Sequence, residues 1–360
     1  MRVLQIIDTL HPGGAERMAV NLTNSLINRV EFSGICITRE KGALFSKINP
    51  GAKKILLNKK NIFDYNAFQK LYKYIKQNRI TIIHAHGSSF FYACLIKIFA
   101  YHIKIVWHDH YGFRIKKKGN DFPVLKICSL FFNGIITVNM ELSHWNPENF
   151  FCSKVIYIPN FITNEFIFNL KGKRKEKEER INILYIANFK KPKNHLNLLK
   201  AFKIVHDKFP GCTLTLVGKQ YGDDYETKLK SFSIKNNLQN RIIVAGEQIQ
   251  VDSFLQNSEI GIISSDSEGL PMALLEYGIV GLAVVCTNVG ACASVVGQNG
   301  KIVEVNNSNA LALGIYEYLE NDMLREKDSK AFQKSIVENF TEEKIIPLLM
   351  DFYTSLNSKP

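Results

Sequence analysis

Glu268 and Glu276 lie eight residues apart in Ser264-Ser-Asp-Ser-Glu-Gly-Leu-Pro-Met-Ala-Leu-Leu-Glu276, a spacing that joins a loop to the start of a helix. Pro271 fits a first helical position, where its missing N–H costs nothing and its fixed φ suits the helix. Glu268 then belongs to the glycine-containing loop and Glu276 to the second helical turn, so both carboxylates can face one ligand. The apolar run Ile260–Ile263 reads as a buried strand, which makes the unit strand, loop, helix. Backbone N–H groups at such a helix start favour an anion, and the helix dipole adds to them. A phosphorylated ligand held there leaves one carboxylate for ribose hydroxyls and the other for a second polar ring. A nucleotide-sugar has that chemistry.

Other residues gather at the expected ends of strands. Directly after the first strand, Asp8-Thr-Leu-His-Pro-Gly-Gly-Ala-Glu-Arg17 places Gly13 and Gly14 at the opening of a helix, where the absence of Cβ lets backbone approach a phosphate. The segment is neither a P-loop nor a G-x-G-x-x-G fingerprint, which argues against ATP and NAD. His84 and His86, and likewise His108 and His110, alternate along two strand ends. Alternate residues share a face, so a metal site is conceivable there. Neither pair brings a cysteine or second carboxylate at ligand spacing, and no metal is expected.

The stretch Ser-x-x-x-Glu-Gly-Leu-Pro, followed by Leu-Leu-Glu, Gly281, the strand-like Leu282–Cys286 and Gly290, resembles the donor-site signature of retaining GT-B glycosyltransferases, the group-1 type with two glutamates in register. The resemblance spans most of the chain and implies two Rossmann-like domains facing a cleft, no metal cofactor, and a nucleoside diphosphate sugar as donor. It implies that Glu276 holds the ribose and that Gly269, Leu270 and Lys193 hold the diphosphate. Glu268 would contact sugar hydroxyls, and the Gly13-Gly14 loop would approach the donor from the first domain. The family's sugar-contacting histidine matches His110, with His108 as the alternative. Asn160 in Ile-Pro-Asn matches a hinge, with Phe161 in place of the usual glycine. Two positions depart from the pattern. Asn188 stands where the family has a diphosphate-binding arginine, so Lys190 or Lys191 is left to supply charge, and Ser294 stands where many relatives have glutamate.

The elements that must carry these residues follow from periodicity. Apolar runs alternate with amphipathic ones throughout both halves: Val3–Ile7 before Ala15–Leu26, Ile80–His84 before Phe90–Phe99, Ile181–Ile186 before His195–Phe209. That is the β/α alternation of parallel sheets covered on both faces. The charged run Lys171–Arg180 reads as an exposed linker. The expected division is a first, acceptor-binding domain over residues 1–165, a nucleotide-sugar-binding domain over 166–340, and a C-terminal helix over 341–360 that packs back on the first domain, the last by resemblance.

Charge is unevenly spread. The chain carries +13 overall, with 22 Lys and Arg against 10 Asp and Glu in residues 1–170 and 24 against 23 in the rest. Such a basic first half attracts polyanions. No zinc-finger, homeodomain or RNP pattern accompanies it, so nucleic acid is not expected. Arg114, Lys116, Lys117 and Lys118 lie among Trp107, Tyr111, Phe113 and Phe122, a mixture suited to a membrane headgroup layer and an anionic lipid-linked acceptor. The seven cysteines are odd in number, form no C-x-x-C pair and read as reduced core residues. No signal peptide or spanning helix is evident, which places the expected enzyme in the cytoplasm on the inner face of the membrane. The competing readings are an epimerase or hydrolase of the same architecture and a non-catalytic partner subunit, the latter suggested by Asn188.

Overall fold

A computed structural model describes residues 1–170 and 181–356. The charged run expected to be a linker, Lys171–Arg180, lies outside the described residues. The chain forms two compact units, one of Met1–Asn160 with the helix Glu342–Ser355, the other of Phe161–Thr341.

Among the described residues the first unit has seven strands: β1 (Arg2–Thr9), β2 (Phe32–Glu40), β3 (Lys53–Leu56), β4 (Ile82–His86), β5 (Lys104–Asp109), β6 (Gly134–Thr137) and β7 (Val155–Tyr157). They pair in parallel in the order β3-β2-β1-β4-β5-β6-β7. The second unit has six: β8 (Asn182–Ile186), β9 (Thr213–Val217), β10 (Ile242–Gly246), β11 (Ile260–Ile263), β12 (Ala283–Thr287) and β13 (Lys301–Val303), again all parallel, ordered β10-β9-β8-β11-β12-β13. Both sheets are doubly wound. Their central strands are apolar and covered on both faces; β4, β11 and β12 are buried along their whole length, the pattern a parallel sheet demands.

In each sheet the winding reverses between the first strand and its neighbour on the other side, β1 beside β4 and β8 beside β11. Loops leaving the carboxyl ends of such a pair diverge to opposite faces and open a crevice, the usual ligand position in open α/β sheets. The residues at issue in the second unit leave β8 and β11, and those in the first leave β1, β4 and β5.

The helix Glu342–Ser355 is part of the first unit. Tyr353 Oη lies 2.5 Å from His84 Nδ1, Lys154 Nζ donates to the Ser355 carbonyl at 2.7 Å, and Arg29 pairs with Glu342 at 2.9 Å. Gly134 makes room for it: a Cβ there would lie 2.5 Å from the Phe352 ring. All seven cysteines are buried and unbridged.

Candidate functional site

The loop after β11 and the loop after β8 are tied into one structure in the second unit. Lys193 Nζ meets Glu268 Oε1 at 2.6 Å, and Ser265 Oγ donates to the same oxygen at 2.6 Å. Around this pair, Asp266 N–H donates to the Pro192 carbonyl at 2.8 Å, Asn194 Nδ2 donates to Asp266 Oδ1 at 2.6 Å, and Tyr185 Oη donates to the Lys193 carbonyl at 2.6 Å. The lysine expected at a diphosphate and the glutamate expected at a sugar therefore share one ion pair. A partly buried pair of this kind is stronger than a surface one, because fewer waters compete for either charge.

The helix Met272–Val280 follows. Pro271 takes the N-cap, one position earlier than read from sequence, with φ −69° and ψ 129°. Gly269 and Leu270 lead into it and are buried. Glu276 is the charged residue in an otherwise apolar helix and is 2% exposed. From the other side the loop after β12 closes on Glu268: Gly290 has φ +51°, a Cβ there would stand 2.2 Å from the Glu268 carbonyl oxygen, and Ala291 N–H donates to the Gly269 carbonyl at 2.8 Å. Only glycine fits such an approach at that φ. Ser294, at the position where relatives have glutamate, folds back onto the Ala291 carbonyl at 3.0 Å.

Asn188 is a brace. Its Oδ1 accepts from Lys219 N–H at 2.9 Å, and Phe189 N–H donates to the Lys219 carbonyl at 2.9 Å, so the loops after β8 and β9 are joined through it. Lys190 and Lys219 both come to the ring of Tyr221, at 6.0 and 5.7 Å. The loop thus gathers cations beside Asn188 although the arginine is missing.

In the first unit Gly13 is the N-cap of the helix Gly14–Ser25, and a Cβ on it would lie 2.3 Å from a Glu16 carboxylate oxygen. Asp8 at the end of β1 accepts from Thr38 Oγ1 at 2.5 Å and from Ser88 Oγ at 2.7 Å. Its carboxyl is held below its ordinary value because these hydrogen bonds, with Lys59, outweigh burial, which is the largest single influence and acts the other way. His110 follows β5 and stacks on His108 with ring centroids 4.0 Å apart; its Nε2 is 3.0 Å from His86 Nδ1. Burial holds His84 and His110 down to about 3, and burial also leads for His86 and His108, which lie well below the ordinary value. The Arg114 charge contributes at His110.

Arg114 corrects an expectation. It was read as part of an exposed basic surface, but it is 6% exposed, its Nε donates to Asp109 Oδ1 at 2.9 Å, and its guanidinium lies 5.0–5.6 Å from the rings of Phe122, Trp107, Tyr111 and Phe113. The aromatic residues that suggested a membrane surface instead enclose a cation whose charge Asp109 matches. Lys116, Lys117 and Lys118 are exposed. Sequence reasoning missed Asp109, Gln5, Ser265 and Tyr185; nothing about an isolated polar residue on an apolar strand announces which loop it will hold.

Two parallel doubly wound units, the second carrying a lysine–glutamate pair and a buried helical glutamate at its switch point, define the GT-B class of glycosyltransferase. Residues 166–335 match the family described as glycosyl transferases group 1, and residues 12–166 match Glycosyltransferase Family 4. The chain is a glycosyltransferase, and its second half is similar to the group 1 family. Among similar proteins, the N-acetyl-alpha-D-glucosaminyl L-malate synthase of Bacillus anthracis is 26% identical, covering 81% of each chain. The O-antigen biosynthesis glycosyltransferase WbnH of Escherichia coli is 25% identical over 91% of this chain and 93% of its own. An Escherichia coli UDP-Gal:alpha-D-GlcNAc-diphosphoundecaprenol alpha-1,3-galactosyltransferase is 22% identical over 95% and 94%. In fold, the crystal structure of Anabaena HepE with UDP and glucose superposes with a TM-score of 0.84 at 16% identity, over 99% of this chain and 100% of that one.

Proposed function

We propose that the protein is a retaining glycosyltransferase that moves a sugar from a nucleoside diphosphate sugar to a lipid-linked glycan during surface-polysaccharide synthesis. The observation that carries the donor half is the Lys193–Glu268 pair at the loop that leads into the helix Met272–Val280, which carries the buried Glu276. Glu276 takes the ribose hydroxyls. Lys193, with Gly269 and Leu270 at the positive end of the helix, takes the diphosphate. Glu268 turns from Lys193 to the sugar hydroxyls when the phosphates arrive to claim the ammonium. Lys190 and Lys219 supply the charge that Asn188 lacks, and in this reading the transferred sugar also contacts His110 and the Gly13-Gly14 loop. No metal enters this scheme, since lysines and a helix terminus neutralise the leaving group.

The acceptor half is supported by two relatives named for O-antigen synthesis and for a diphosphoundecaprenol acceptor, and by a face of the first unit. On the helix Pro123–Cys128 and the turn after it, Val124, Ile127 and Leu130 are more than half exposed, and Lys116, Lys117 and Lys118 precede them. Exposed apolar residues beside lysines suit an anionic membrane surface, the cytoplasmic leaflet in this reading. No helix of the described residues is long and apolar enough to cross a membrane.

The test of the donor is the shift in melting temperature against UDP-, GDP-, ADP- and TDP-sugars, for the protein and for Glu276→Ala, because a ligand that binds only the folded state raises its stability. A shift with one nucleotide class that disappears in the variant is expected; no shift with any class counts against the assignment. For the membrane, sedimentation with vesicles containing anionic lipid should fall several-fold in K116E/K117E/K118E and at high salt. Equal sedimentation of protein and variant would remove the lysines from the membrane face.

A further inference from the structure

Four histidines and a glutamine share one face of the central strands of the first unit. Gln5 lies on β1, His84 and His86 on β4, His108 on β5 and His110 just beyond it, alternate positions that point the same way. Gln5, His84, His86 and His108 are 2% exposed or less. Ring nitrogens of His84, His86 and His108 lie within 4.8 Å of one another, a distance open to a shared cation. The hydrogen bonds they make, however, run in a defined direction.

His86 Nε2 is 2.8 Å from Gln5 Oε1. An amide oxygen only accepts, so His86 Nε2 carries the proton. Buried and neutral, His86 has one proton to place, and its Nδ1 is therefore a bare lone pair. That Nδ1 faces His110 Nε2 at 3.0 Å, so His110 Nε2 must be the donor. His110 is neutral too, and its remaining nitrogen, Nδ1, is left without a proton.

We propose that Gln5 and His86 are positioning residues that fix the tautomer of His110, so that His110 presents a bare Nδ1 to the transferred sugar. The proposal rests on the reading above that His110 contacts that sugar. A lone pair at this place accepts a hydrogen bond from a sugar hydroxyl, whereas an N–H would need an acceptor there. It also suits the chemistry: departure of a nucleoside diphosphate builds positive charge on the sugar ring, which an electron-rich nitrogen tolerates and an N–H dipole opposes. The opposite tautomer needs His86 to place its proton on Nδ1, which would aim its Nε2 lone pair at the Gln5 oxygen. With Gln5 fully buried, only a flip of its amide would relieve that clash of acceptors.

The experiment is long-range 1H–15N correlation of the imidazole nitrogens in histidine-labelled protein at pH 7.5, in the full-length chain and in Gln5→Met, which keeps the volume and removes the acceptor. The native protein should show His86 and His110 each protonated on Nε2 alone. In Gln5→Met the two rings should become tautomer mixtures, with kcat down about fivefold to tenfold, the effect of one hydrogen bond, and KM for the donor little changed. A native His110 protonated on Nδ1, or a single unchanged tautomer in Gln5→Met, overturns the relay, and the first of these needs no variant to fold. Unchanged turnover in His110→Ala would instead remove the sugar-contact role while leaving the tautomer result to stand on its own.

Discussion

At the scale of residues, the proposed donor site has three charged groups whose roles are separable. Glu276 is the one charged residue of an apolar helix and is buried. Glu276→Ala should weaken donor binding by roughly 1.5–3 kcal/mol, or about 10- to 150-fold, as expected for hydrogen bonds to a charged group. Calorimetric titration of the donor nucleotide reads this directly, and an unaltered affinity would withdraw the ribose assignment. Lys193 differs, because in the proposed scheme its worth grows as the diphosphate leaves. Lys193→Met is expected to lower kcat about 100-fold or more with a smaller change in KM, the pattern of a contact that strengthens in the transition state. A purely ground-state role would raise KM and leave kcat alone. Such a change also removes the 2.6 Å partner of Glu268, so its stability must be measured beside its rate.

At the scale of elements, the loop that carries Glu268 is closely packed by a second loop at Gly290. Replacing Gly290 by alanine puts a Cβ 2.2 Å from the Glu268 carbonyl oxygen at a φ of +51°. The left-handed backbone alone costs about 1–2 kcal/mol for a residue with a Cβ, and the overlap adds to it. Gly290→Ala should therefore lose both melting temperature and donor affinity, and a variant matching the native protein in both would show that the loops are independent. Much of this architecture is legible in the sequence: β4, β11 and the helix Met272–Val280 are long enough, apolar enough and well enough punctuated to be read directly. The helix Asp322–Asn339 is not, although it covers one face of the second unit. Its inward positions are Arg325, Asp328, Phe332 and Ile336, a helical stripe half made of charge. Arg325 Nη1 reaches the Tyr318 carbonyl at 2.7 Å while its Nη2 pairs with Asp322 of the same helix at 2.7 Å, and Asp328 accepts from Tyr318 Oη at 2.9 Å, so Tyr318, outside the helix, partners both charges. Periodicity of apolar residues cannot announce an interior built in that way. The edge strand β3 is hidden for a related reason: Lys53 and Lys54 open a strand of four residues that only its neighbour β2 defines. Arg114 shows the converse at the site, where a basic run in sequence concealed one cation that folds inward to Asp109.

At the scale of the molecule, the histidines make the first unit the acid-sensitive one. His84 and His110 are held to about 3 and His86 and His108 well below the ordinary value, burial being the leading cause in each. In the unfolded chain the same rings bind protons near pH 6.5. Below that point the unfolded state takes up protons that the folded state refuses, so unfolding is favoured as pH falls, and the stability present above about pH 6.5 is lost progressively toward about pH 3. Each histidine contributes at most about 1.4 kcal/mol per pH unit in that window. Among its described residues the second unit has one comparable group, His195, also held to about 3 by burial. Acid should therefore lower the stability of the first unit more steeply than that of the second. Calorimetric scans at pH 7.5, 6.0 and 5.0 are expected to show the transition of the first unit moving down by the larger amount, with the difference starting near pH 6.5 rather than near pH 4, where carboxylates begin to titrate. Replacing His84 by asparagine, which cannot take up a proton, should flatten that dependence even where it lowers the melting temperature at pH 7.5. A transition that holds its position from pH 7.5 to pH 5.0 would mean that the cluster already carries charge when folded, and the single-proton argument for His86 and His110 would fall with it.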